Sequence, residues 1–125
     1  MKLWVDDLRD PAAFGRPGWH WVKSNTEAIR VLDTRNDIEE ISLDWDICHT
    51  LGVEGLVGAF ACTETFEGVT RFIGIWARMQ ELADFPITIH TSSVVGAKTA
   101  EDILTMNGDD DSGTFIITHK YGAKL

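Results

Sequence analysis

Three short apolar runs in this chain each end in residues able to hold a cation or a phosphate. Ile41-Ser42-Leu43 leads into Asp44-Trp45-Asp46, Lys2-Leu3-Trp4-Val5 into Asp6-Asp7, and Ile87-Thr88-Ile89 into His90-Thr91-Ser92-Ser93. Carboxylates that converge repel one another, so at neutral pH they need a cation or raised pKa values. Oxygen donors of this kind favour Mg²⁺ or Mn²⁺, either of which can also bridge to a phosphate. Asp7 and Asp44 are the first candidates as metal ligands, with Asp6 and Asp46 as further ligands or as their support. The bland alternative is that some of these acids are solvated strand-end caps, as Asp10 is read. His90 is a candidate general acid or base, with Asp44 and Asp46 as its catalytic partners; otherwise it is a hydrogen-bonded structural residue.

The hydroxyls of Thr91, Ser92 and Ser93, with backbone N–H groups ahead of a helix at Thr99, can cradle a phosphate or simply cap that helix. Arg9 can clamp a phosphate through two parallel bonds or pair with the acids. Lys98 and Lys120 are phosphate contacts or solvated lysines. Trp45 stands between two carboxylates and offers a surface for stacking a base, as do Trp19 and Trp21; the alternative for Trp45 is packing under the segment 47–64. Trp4 and Trp76 read as core, and His20, His49 and His119 have no spacing that singles them out.

These side chains need a frame to bring them together. In a parallel sheet the strands are short apolar runs, and ligands bind beyond their carboxyl ends. Strands are expected at Lys2–Val5, 19–22, 38–43, 87–90 and 114–118. The segment 8–18 carries two prolines and two glycines and reads as a loop with at most one short turn. A helix over 26–32 follows an N-cap at Ser24 or Asn25. Phe66, Val69, Phe72, Ile73, Trp76, Met79 and Leu82 recur at intervals of three and four, the strongest helical signal in the chain. A last helix is expected over 99–106, ended by Asn107-Gly108, with an acidic turn at 109–113. Segment 47–64, with three glycines among apolar residues, reads as a long loop with one helical turn at most. Alternating strands and helices imply an α/β fold with a parallel, doubly wound sheet.

With 125 residues the chain suits one domain, 1–125. A net charge of −9, from 20 acids against 11 Lys and Arg, excludes a duplex-DNA binder that works by phosphate neutralisation. No apolar run approaches the roughly 20 residues of a spanning helix, and carboxylates arrive too early for a signal peptide, so cytoplasmic residence is the expectation, with no membrane partner. Cys48 and Cys62 form no CxxC pair and are expected to be reduced.

The placement of Asp6-Asp7, Asp44, Thr91 and Lys120 resembles the response-regulator receiver fold, which implies a three-layer, five-stranded, mostly parallel receiver-like sheet of order 2-1-3-4-5. Here the first helix is replaced by the loop 8–18. The motifs Leu3-Trp4-Val5-Asp6-Asp7-Leu8-Arg9-Asp10-Pro11, Ile41-Ser42-Leu43-Asp44-Trp45-Asp46 and Ile89-His90-Thr91-Ser92-Ser93-Val94-Val95-Gly96-Ala97 resemble more closely the cyclic-phosphate processing receiver domains. Two positions depart from that pattern: Trp45 stands where the family commonly carries His, and Ser93-Val94 where it commonly carries Asn-Pro. The resemblance implies metal-dependent phosphodiesterase action on cyclic phosphates, as a cyclic nucleotide or a 2′,3′-cyclic phosphate RNA end. Two alternatives stand beside it: a non-catalytic binder that sequesters a nucleotide second messenger, supported by Trp45 in place of that His, and a divergent receiver phosphorylated on Asp44.

Overall fold

The computed structural model describes residues 1–50, 60–106 and 113–120, with the backbone alone for 48–50 and 60–63. Strands β1 (Lys2–Val5), β2 (His20–Val22), β3 (Glu40–Leu43), β6 (Phe85–His90) and β7 (Phe115–Lys120) form one parallel sheet of order β2-β1-β3-β6-β7. Strands β4 (Asp46–Thr50) and β5 (Phe60–Thr65) form a separate antiparallel pair, so the main sheet alone has the expected order. Helices α1 (Asn25–Thr34), α2 (Glu67–Met79) and α3 (Val94–Leu104) supply the crossovers. None of the described helices is long and apolar enough to cross a membrane.

Strand alternation sorts the sheet into two faces. Leu3, Ile41 and Ile87 lie in register, as do Val5, Leu43 and Ile89. These six are buried in one cluster with Ala28 and Leu32 of α1, Val69 and Ile73 of α2, and Ala97 and Ala100 of α3. On the opposite face Trp4 is covered by the segment that joins β1 to β2. Its ring lies 6.3 Å from Phe14 and meets Trp19 edge-on at 6.0 Å. That segment holds only a 3-10 turn, Pro11–Phe14, whose first free N–H, that of Ala12, is capped by the Asp10 side chain at 2.9 Å. The loop expected in place of a first helix is therefore present, and it forms the third layer.

Ser24, not Asn25, caps α1, accepting from the Glu27 N–H. Asn25 instead reaches α2, where its Oδ1 accepts from the Val69 N–H at 2.9 Å. Two expectations are corrected. Segment 47–64 is not a loop with a helical turn: its described ends form the β4–β5 ladder, with an irregularity between Ile47 and Cys48, and 51–59 lie outside the described residues. Helix α3 begins at Val94 rather than 99, because Ser93 caps it by accepting from the Gly96 N–H. Gly96 is no helix breaker here. A Cβ at this position would lie 2.5 Å from Trp45 Cδ1, so the missing side chain is what lets the helix seat on the indole. The predicted terminator Asn107-Gly108 and most of the acidic turn lie outside the described residues.

Candidate metal and phosphate site

Because Val5 and Leu43 are in register, the carboxylates that follow them leave the sheet side by side. One oxygen from each of Asp6, Asp7 and Asp44 lies within 4.8 Å of the others. Asp6 is buried and immobilised. Its Oδ1 accepts from the N–H groups of Leu8 (2.8 Å) and Arg9 (2.9 Å), and its Oδ2 from His90 Nε2 (2.9 Å). Three of its roughly four acceptor positions are used, leaving one for a cation. Asp44, 7% exposed, accepts from the Trp45 N–H at 2.8 Å. Burial, then the charge of Asp6, pushes its pKa up to about 8, while the Trp45 N–H and Arg9 pull it down and Asp7 adds to the rise. Asp46 opens β4 opposite Thr65 and is not part of this cluster.

The β6–α3 junction lies beside the acids. Arg9 Nη2 donates to Ser92 Oγ at 2.8 Å, and Nη1 points to the His90 carbonyl at 3.5 Å. The Arg9 backbone is pinned in turn, its carbonyl accepting from Trp4 Nε1 at 2.8 Å. Thr91 is buried, and its hydroxyl accepts from the Ser93 N–H. Ser92 is the exposed hydroxyl of the three expected, while Ser93 serves as the helix cap. Lys98 is not brought to the site by any contact. It is exposed on α3 and paired at 2.6 Å with Asp102, which raises its pKa. Lys120 ends β7 with an exposed side chain, and its carbonyl accepts from the Thr91 N–H.

Two of the candidate residues lie at depth. His90 is 0% exposed, stacked on Trp4 at 4.2 Å, with Nε2 on Asp6 and Nδ1 on Ser42 Oγ (2.6 Å). Burial lowers its pKa against the opposing pull of Asp6. The ring is thus enclosed by Trp4, Asp6 and Ser42. Trp45 is 8% exposed and its indole lies against Gly96, so its ring is not available to stack on a base. Trp21 is likewise used structurally, donating from Nε1 to the Asp6 carbonyl. Ser42 was not singled out by sequence reasoning. The signal for it was a polar residue inside an apolar strand, on the same alternation as Asp44.

A model of the cyclic-phosphate processing receiver domain matches residues 1–106. The chain belongs to that family. Its membership ties this receiver domain to cyclic-phosphate processing, and all three site motifs fall inside the matched region. Neither the curated proteins nor the solved structures contain a match to it. The donor set of the receiver domain fits a hard divalent cation. It is all oxygen, and it holds Asp44 in a buried position beside two other carboxylates, a repulsion that a cation would relieve.

Proposed function

We propose that this receiver domain is a metal-dependent phosphodiesterase that opens cyclic phosphates, in a cyclic nucleotide or at a 2′,3′-cyclic phosphate RNA end. One juxtaposition carries the reading: the Asp6, Asp7 and Asp44 oxygens, within 4.8 Å of one another, share a strand-end ledge with an Arg9 guanidinium held 2.8 Å from the Ser92 hydroxyl. Carboxylates alone would repel a phosphodiester. An arginine fork and a hydroxyl beside them supply the complementary donors.

Asp6, Asp7 and Asp44 would hold Mg²⁺ or Mn²⁺, which when bound supplies Lewis-acid polarisation of a phosphoryl oxygen and a more acidic water. Arg9 aims its N–H donors at the charge that builds on the non-bridging oxygens as water adds to phosphorus. Ser92, accepting from Arg9, has its own proton left to donate to a phosphate oxygen. The proton that the attacking water loses balances the one that the departing ring oxygen gains as the P–O bond breaks. The product is a phosphate monoester with a free hydroxyl.

The test is chromatographic turnover of 2′,3′-cyclic, 3′,5′-cyclic and cyclic oligonucleotides by the wild-type protein with Mg²⁺, Mn²⁺ or EDTA. Product that requires the metal is expected, and its identity names the substrate. A second reading, a binder that sequesters a nucleotide, is favoured by one observation. Trp45 is buried where the family commonly carries His, and His90 is buried too. Calorimetric binding of a nucleotide that is recovered intact after long incubation would establish that reading instead.

A further inference from the structure

Ser42 is a buried polar side chain for which neither the acidic cluster nor the phosphate side has a use. It is 1% exposed and lies two residues before Asp44, opposite Trp4 of β1 and Thr88 of β6. Strand alternation therefore puts it on the face shared by Trp4, Asp6, Asp44 and His90. Its Oγ is 2.6 Å from His90 Nδ1, and His90 Nε2 is 2.9 Å from Asp6 Oδ2. The three side chains form a continuous buried line that ends on a carboxylate of the cluster.

One placement of protons gives every atom of this line a partner. With Asp6 as a carboxylate, its Oδ1 accepts from two backbone N–H groups and its Oδ2 takes a donor. His90 Nε2 must then carry the proton. In a neutral ring that leaves a lone pair on Nδ1, and the Ser42 hydroxyl is positioned to donate to it. The ring is fully buried and stacked on Trp4, so no solvent replaces that donor.

We propose that Ser42 is a positioning residue of the site: its hydroxyl fixes the His90 ring whose Nε2 orients Asp6 toward a cation. The inference rests on the reading of Asp6, Asp7 and Asp44 as cation ligands. Without the hydroxyl, Nδ1 is a buried acceptor lacking a partner, and of the ring's two hydrogen bonds only the one to Asp6 is left to fix its orientation. The ring can then tilt, and the carboxylate it holds is less firmly placed. Loss of such an outer partner weakens metal binding by about 10- to 100-fold.

The experiment pairs titration calorimetry with MnCl₂ and ¹⁵N NMR of the His90 ring, on wild type, Ser42→Ala and Ser42→Thr. In the wild type Nε2 is expected to be protonated and Nδ1 bare, a readout that needs neither a variant nor metal. Ser42→Ala is expected to bind Mn²⁺ about tenfold more weakly, with the Nδ1 resonance moved by the loss of its hydrogen-bond donor, and Ser42→Thr to recover both. A wild-type ring protonated on Nδ1, or Ser42→Ala with wild-type Mn²⁺ affinity, overturns the positioning role alone. Wild-type protein that binds no Mn²⁺ overturns the metal reading and this inference with it.

Discussion

Asp44 is a carboxylate that the fold holds at a disadvantage, and its pH behaviour follows from that. Its pKa is pushed up to about 8 in the folded chain, against an ordinary value of 3.8. Below the ordinary value both states are protonated and the folded state keeps its full stability. As pH rises toward 8 the unfolded chain releases its proton first, so stability is lost through that window. In EDTA the melting temperature is expected to fall between these limits, and Asp44→Asn should flatten the fall. Mn²⁺ should raise the melting temperature more at the alkaline end of the window than at the acid end, as thermal melts across pH will read. Arg9 gives a second residue-scale test. Its fork touches Ser92 Oγ and points to the His90 carbonyl, a geometry that a lysine ammonium cannot reproduce. Arg9→Lys is expected to weaken phosphate-ligand binding on the order of tenfold in calorimetry, with Mn²⁺ affinity unchanged. Asp6, Asp7, Asp44 and Arg9 were legible because each sits at the end of an apolar run or next to one that ends so. Depth was not legible. Sequence spacing gave His90 and Trp45 their positions along the chain, yet burial decides that one holds Asp6 and the other packs on a helix.

At the scale of elements, the period-two runs and the three-and-four spacing of α2 made the main sheet and its longest helix readable. The hairpin β4–β5 was hidden because Gly52, Gly55 and Gly58 between its strands read as loop composition, and a local pattern does not reveal which distant run pairs with which. The start of α3 was misplaced for a related reason. Gly96 counts against a helix locally, while the benefit of its missing Cβ comes from Trp45, more than fifty residues earlier. This yields a test with a definite sign. A glycine-to-alanine change in a free helix is stabilising by roughly 1 kcal/mol. Gly96→Ala is instead expected to cost about 1–3 kcal/mol in denaturant unfolding, because the added methyl meets a buried indole. In the double variant with Trp45→Leu much of that cost should disappear, a coupling that a double-mutant cycle isolates.

For the whole molecule, the net charge of −9 gives an expectation about the order of binding. A chain with nearly twice as many acids as bases attracts divalent cations and repels anionic ligands, the more so at low ionic strength. Nucleotide binding is therefore expected to require the metal, with no calorimetric signal for a cyclic nucleotide in EDTA. The fold is consistent with that order: β1 and β3 deliver the carboxylates, while Arg9 and the β6–α3 junction bring hydrogen-bond donors beside them. The measurement closest to the central claim is cyclic-phosphate turnover at saturating Mn²⁺ by wild type and by Asp44→Asn, with both confirmed folded by circular dichroism. Metal-dependent wild-type turnover that falls on the order of a hundredfold or more in the variant is the expected result. Turnover by Asp44→Asn equal to the wild type would contradict the account.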